Sequence, residues 1–434
     1  MTLTEFLEQN KKNGPARFYM PGHKGRYPLD GAYDITEITG ADSLYHADGV
    51  IRETERRFER LYGSRTTVLS AGGTTLCIQG MLAAAKRKYG LRKILAARNA
   101  HVTFVNACAL LDIEPFWVYP KPYDRFGVSG AVAPEQLEEA LEKERVDAVY
   151  ITSPDYFGML SDVEGLAAVC KKHGLPLLVD NAHGAHLKFL PEDCHPLSLG
   201  VALCCDGAHK ILPVLTGGAL LHAADDFTAE ELKAAMSLFG STSPSYLIMQ
   251  SLDACAQYLE ENARADFAAL AGRLDSLRKK AAEKGLFVFE SEPARLSLAG
   301  APKGYDGDLA AFLRDHRVEC DYAAAEAAVL MPTPFNSDAE FELLERAVAA
   351  FEPEGEYRTE RLEAPPQPVR MMTPREAVFS PAEELPVDEI LGRVAAESKI
   401  LCPPGVAVVV AGERVDEAGQ KLLKKSGIPT LKVV

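Results

Sequence analysis

Four stretches of the chain carry residue types that can do chemistry together. The first centres on Asp180, which closes the apolar run LPLLVD and is followed by NAHGAH, bringing His183 close behind it. In an open parallel sheet, ligands bind at the carboxyl ends of strands, so a carboxylate there faces a site. The same Asp could equally cap the next helix. The second is Lys210, within DGAHKILPVLTGGALLH. An apolar pocket lowers a lysine's pKa, as a Schiff-base lysine requires, although most lysines are solvated surface groups. The third is SAGGTTLCIQGML, where Gly73, Thr74 and Thr75 open an apolar helix. Free backbone N–H groups there, with the helix dipole, make an anion site, and an ordinary capped helix is the plainer alternative. No Walker lysine follows, which disfavours a nucleotide loop. The fourth is His101 in RNAHVTF, just beyond the apolar run KILAA.

Each signal is modest alone, but their order is informative. An anion cradle, a ring-stacking His, a strand-end Asp and a Lys in an apolar run are the parts of a pyridoxal 5′-phosphate (PLP) site. The cradle takes the phosphate and the His stacks on the pyridine face. The Asp keeps the pyridine nitrogen protonated, and the Lys forms the Schiff base.

These residues need a scaffold, and the pattern supplies one. KILAA (93–97), DAVYITS (147–153), LPLLVD (175–180) and GGALLH (217–222) read as buried strands. Between them LCIQGMLAAAKRKYG, QLEEALEKERV and VEGLAAVCKKHG read as helices, the first and last stopped by a cation followed by Gly. Strands alternating with helices imply an α/β fold with a mostly parallel sheet. A long helix is expected near 245–285 as a bridge out of this unit. Residues 286–351 read as a smaller α/β unit. The charged, Pro-rich stretch 352–368 reads as a linker. A last unit follows over 370–434, with a helix near 387–397 and an apolar strand VAVVVAG (406–412). The expected division is an N-terminal segment 1–60, a large cofactor domain 61–285, a small domain 286–351 and a C-terminal domain 370–434.

Composition bounds the function. With 434 residues and a formal charge of −15, the chain can bury a large core and is a poor partner for nucleic acid. The nine cysteines form no C-x-x-C pair, so buried free thiols are expected rather than disulfides or a metal site. The N-terminus has no signal-peptide pattern and no run of about 18 apolar residues exists to span a membrane. The cytoplasm is the expected compartment.

Over nearly its whole length the sequence resembles the bacterial ornithine/lysine/arginine decarboxylases, fold-type-I PLP enzymes, in their short form without an N-terminal wing. The matching segments are MPGHKGR, DITEITGADSLYHADGVI, GGTTLCIQ, RNAHVT, ITSPDYFG, VDNAHGAH, AHKILPVLTGGALLH, STSPSY and CPPGVAVVVAGE. The resemblance implies a seven-stranded, mostly parallel sheet of the PLP-transferase type with smaller C-terminal domains. It assigns Lys210 to the Schiff base, Asp180 to the pyridine nitrogen, and His101 to ring stacking. It places His183 beside the reacting centre, gives Gly73, Thr74 and Thr75 to the phosphate, and makes His209 the residue before the lysine. It points to Glu319, in VECDY, as the partner of the substrate's distal amine, and to the STSPSY loop as lying near a neighbouring subunit's cofactor. MPGHKGR is a candidate arm for the subunit contact.

Some positions depart from the family pattern. Asn181 stands where Glu is usual, Gly207 and Ala208 where hydroxyl residues are common, Cys402 where a Tyr often precedes PPG, and TSPDYFG carries Asp155 and Phe157. The resemblance implies PLP-dependent decarboxylation of a basic amino acid by a homodimer or higher oligomer. The alternatives are another PLP reaction on the same fold, such as transamination or a lyase reaction, and a non-catalytic regulatory relative.

Overall fold

The computed structural model describes residues 16–18, 24, 35–38, 40–120, 130–324, 327–355, 367–400, 405 and 407–434. A short strand, β1 (Ala16–Phe18), precedes the central sheet. The sheet is built from β2 (Thr66–Ser70), β3 (Lys93–Ala97), β4 (Glu114–Val118), β5 (Ala148–Thr152), β6 (Leu177–Asn181), β7 (Leu203–Asp206) and β8 (Ala219–Ala223). Its order is β2-β8-β7-β6-β5-β3-β4. All neighbours are parallel except β8, which runs antiparallel to both β2 and β7. The mostly parallel seven-stranded α/β sheet is therefore as expected.

Its strands are apolar because helices cover both faces. Alternation sends Ile94, Ala96, Tyr150 and Leu178 into one core and Leu95, Ala97, Val149, Ile151 and Val179 into the other. The helix Gly73–Tyr89 ends where Gly90 turns left-handed and returns its N–H to the Lys86 carbonyl, the stop that KYG announces. The helices Pro134–Lys143 and Val163–Lys172 also follow the sequence pattern.

Two expected helices differ. The stretch near 245–285 is two helices, Tyr246–Glu261 and Ala263–Glu283, broken where Asn262 leaves helical backbone at φ −129°, ψ −29°. The stretch near 387–397 is a single 3-10 turn, Val387–Glu389. Its following N–H groups bond outward, Ala395 to Glu413 and Ala396 to Lys432, so no helical ladder forms.

Beyond the central sheet, β9 (Phe287–Val288), β10 (Leu296–Ala299), β12 (Tyr322–Ala324) and β13 (Ala327–Leu330) form an antiparallel sheet in the order β12-β13-β10-β9. Between β10 and β12, β11 (Val318–Cys320) pairs in parallel with β1. The chain thus changes sheets at Asp321. In the last unit, β14 (Glu383–Pro386) pairs with β17 (Thr430–Val433), and β15 (Lys399–Ile400) with β16 (Ala407–Val409). Of the linker expected at 352–368, residues 356–366 lie outside the described ones, as does Cys402.

The last unit is fastened to the end of β3 by a buried ion pair. Arg98 places Nη1 2.6 Å and Nη2 2.8 Å from the two carboxylate oxygens of Glu413, and its Nε donates to the Ala407 carbonyl. The guanidinium also lies over Trp117 at 4.8 Å. Eight cysteines are unpaired in the described residues, Cys204 and Cys205 fully buried among them. No described helix is long and apolar enough to cross a membrane.

Candidate active site

The carboxyl ends of β3, β5, β6 and β7 meet at one cleft, where Thr74, His101, Asp155, Asp180, His183 and Lys210 share the wall. This is where an open α/β sheet binds ligands. Each polar group lies at a strand's carboxyl end or in the segment that follows it. His101 caps the helix Val102–Leu111, its Nδ1 accepting from the Thr103 N–H at 3.2 Å. Asp180 is the penultimate residue of β6, buried, and accepts from the Tyr150 hydroxyl at 3.2 Å and the Ala182 N–H at 3.1 Å. Lys210 lies in the short helix Ala208–Ile211 after β7.

Lys210 Nζ is 2.7 Å from Nε2 of His183. Burial draws the Lys210 amine down to about 8; Asp180 resists that shift and Arg295 assists it. Burial, then Lys210 and Arg295, hold His183 well below the ordinary imidazole range. His101 is lowered as well, first by burial, with Asp180 opposing. His209, pinned to the Gly218 carbonyl at 3.0 Å, is lowered by burial. A lysine whose pKa is drawn down toward neutrality is a more competent nucleophile.

The anion cradle lies next to Lys210's neighbours in sequence. Gly73 adopts φ +68°, which only Gly does freely, and donates its N–H to the Gly217 carbonyl. No side chain caps the helix that begins there, so the N–H groups that follow Gly73 are available to an anion. Thr74 lines the cleft, whereas the Thr75 hydroxyl turns to Thr103 at 3.4 Å. The buried Thr152 hydroxyl, also on the wall, has no protein partner. An uncapped helix start, an orphaned hydroxyl, a buried lysine of lowered pKa and a buried carboxylate together fit PLP.

Two departures from the family pattern have physical reasons. A Cβ on Gly207 would lie 2.4 Å from the Ala182 carbonyl oxygen, so the backbone runs too close for a hydroxyl residue. Gly207→Ser is expected to cost about 1–3 kcal/mol from forced repacking and to lower PLP occupancy; thermal unfolding and bound-cofactor absorbance check it. Asn181 donates to Asp206 at 2.7 Å. Asp206 also accepts from His195 at 2.9 Å and lies 3.3 Å from His222. Burial alone would raise Asp206, but the two histidines outweigh it and hold the carboxylate well below its usual range.

Glu319 is not brought to this cleft. It lies on β11, its side chain partly exposed and 3.9 Å from Arg314. The nearby carboxylate is Asp321, which accepts a 2.5 Å hydrogen bond from Tyr156 and acts on Lys210 electrostatically. Tyr156 in turn packs edge-on against His183 at 5.1 Å. Sequence reasoning passed over Asp321, Tyr156 and Arg295; for Tyr156 the signal was present in TSPDYFG. The MPGHKGR arm lies outside the described residues apart from Lys24, which donates to the Met331 carbonyl.

Fold and site together define a fold-type-I PLP enzyme. The family model for the Orn/Lys/Arg decarboxylase major domain matches residues 2–287, and that for the family's C-terminal domain residues 358–425. The chain belongs to the Orn/Lys/Arg decarboxylase family and is a PLP-dependent amino acid decarboxylase. It is 25% identical to an arginine decarboxylase of Halalkalibacterium halodurans, over 96% of this chain and 92% of that one. It is 24% identical to an arginine decarboxylase of Bacillus subtilis, over 98% and 93%. Among solved structures, the constitutive lysine decarboxylase of E. coli matches with a TM-score of 0.72 at 16% identity, over 98% of this chain and 77% of that one. A serine palmitoyltransferase of Sphingomonas wittichii matches with a TM-score of 0.57 at 15% identity, over 71% and 78%.

Proposed function

We propose that the chain converts lysine, ornithine or arginine to the corresponding amine and CO₂, with Lys210 as the covalent anchor of PLP. The observation that carries this reading is the convergence of Lys210, Asp180, His183 and His101 on one cleft. When bound, PLP supplies an electron sink for the bond that breaks at the substrate Cα. Lys210 would hold its aldehyde carbon, Asp180 the protonated pyridine nitrogen and His101 the ring face. The uncapped helix start at Gly73, with Thr74, would hold its phosphate, and Thr75 supports that turn through Thr103.

The protein's own groups do the rest. Lys210 Nζ and His183 Nε2, 2.7 Å apart, are the pair that can deliver a proton to the substrate carbon after CO₂ leaves. Phe157 is buried in the apolar cluster against which Tyr156 packs, and so supports that side chain. Asp155 on the wall and Asp321 behind Tyr156 give the cleft an acidic side suited to a cationic side chain. Incubating the full-length protein with PLP and each of the three amino acids, and identifying the product, tests the proposal. An amine with stoichiometric CO₂ supports it; a keto acid, or no turnover, overturns it.

Asp321 replaces Glu319 as the proposed partner of the substrate's distal cation. Asp321→Asn is expected to raise KM about 10- to 100-fold, the range of one charge-assisted hydrogen bond, with Glu319→Gln near wild type. Steady-state kinetics on the preferred substrate check both.

A homo-oligomer belongs to the same proposal. Residues 241–243 are exposed, and an open groove beside them is lined by Ile35, Val50, Tyr246 and Met249. A second copy would cover that surface.

A further inference from the structure

At the other ring nitrogen of His183 lies a fully buried guanidinium. Arg295, just before β10, places Nη2 3.4 Å from both Nδ1 and the carbonyl oxygen of His183. Its Nε faces Glu292 at 3.6 Å, and Glu292 pairs with His186 at 2.9 Å. Gly158 provides the room: a Cβ there would lie 2.6 Å from Arg295 Cγ. Arg295 does not itself line the cleft.

We propose that Arg295 is a positioning residue that fixes the His183 proton on Nε2 and thereby presents Lys210 as a free base. The inference rests on Lys210 being the cofactor lysine. A guanidinium only donates and does not lose its proton, so Nδ1 of His183 must accept. A neutral imidazole with an accepting Nδ1 carries its proton on Nε2. That N–H points at Lys210 Nζ, 2.7 Å away, and only an uncharged amine can receive it. The reverse arrangement, an ammonium donating to Nε2, would aim an Nδ1–H at the guanidinium, donor against donor. A doubly protonated ring would face a guanidinium and an amine in a buried pocket. One arrangement therefore satisfies all three groups.

Other groups act on this pair. Asp180 from β6 and Asp321 from the β11–β12 junction favour a charged Lys210, as does Cys205 from β7, while burial and Arg295 oppose it. His101 and His209 add to the pressure for a neutral His183. Arg295 differs from the rest because it acts through the tautomer as well as through its charge. No bond is made or broken in the relay, and the proton stays on Nε2 until the amine is consumed.

The experiment uses the full-length chain with its histidines labelled with nitrogen-15, stripped of cofactor, the His183 signal assigned by its loss in His183→Gln. The Nε2–H tautomer is expected above pH 8, where the amine has lost its proton; an Nδ1–H tautomer or an imidazolium there overturns the proposal. A second readout is the rate of PLP capture against pH, followed by the visible absorbance of the bound cofactor. In Arg295→Met combined with Glu292→Gln, which leaves neither charge unpaired, the midpoint should rise by about one pH unit. Capture at pH 7 should then slow about tenfold. Arg295→Lys should recover most of the rate. An unchanged midpoint in the double variant overturns the relay. Failure of the Lys210 assignment itself would show as no bound-cofactor band in the unmodified protein, with the tautomer still readable.

Discussion

Lys210→Ala should lose the visible band of covalently held PLP and reduce decarboxylation at least about 10³-fold, the scale of losing a positioned nucleophile and proton carrier together. The cleft explains why binding and chemistry should separate. Asp180, His101 and the uncapped helix at Gly73 stay in place, so the variant should still retain PLP non-covalently. His183 loses its 2.7 Å partner, and the variant lacks both the anchoring amine and one member of the proton pair. Absorbance after gel filtration, with CO₂ release on the preferred amino acid, reads the two effects apart. A Lys210→Ala protein that keeps the covalent band would overturn the assignment.

Glu413→Ala should be the most damaging single change to stability, costing about 3–5 kcal/mol. It leaves the Arg98 guanidinium, 0% exposed, without its bidentate carboxylate. The Val410 N–H loses its partner as well. Arg98→Met combined with Glu413→Leu should recover much of the loss, because a buried pair replaced whole avoids the unpaired charge. Urea unfolding of the three variants gives the comparison. The single variant should also lose activity, since Ile400 and Gly405 of the same unit line the cleft.

The central sheet was legible for a simple reason. KILAA, LPLLVD and GGALLH are buried on both faces, so each reads as an unbroken apolar run between turn signals. β4 is harder to see, because EPFWV carries a Glu and a Pro and several of its residues are only partly buried. The helix expected near 387–397 failed because residues with good helical spacing gave their hydrogen bonds to Glu413 and Lys432, partners remote in sequence. Lys210, Asp180 and His101 could be placed because each sits beside a readable strand end. Asp321 could not, since its position depends on the chain leaving the β1–β11 pair for the β12–β13 sheet. Arg295 reaches His183 across 112 positions of sequence, a contact that only the packing of the small sheet on the large one creates.

The Asn181–Asp206 contact constrains what position 181 can carry. The two side chains meet at 2.7 Å in a pocket closed to solvent, with His195 and His222 committed to the same carboxylate. Glu at 181 would set two carboxylates against each other there, and like charges so close cannot both stay ionised. Positions 181 and 206 are therefore coupled: Glu at 181 would have to share a proton with Asp206 or be accompanied by a change there. The residue beside Asp180 is thus tied, through its hydrogen bond, to the wall behind the site.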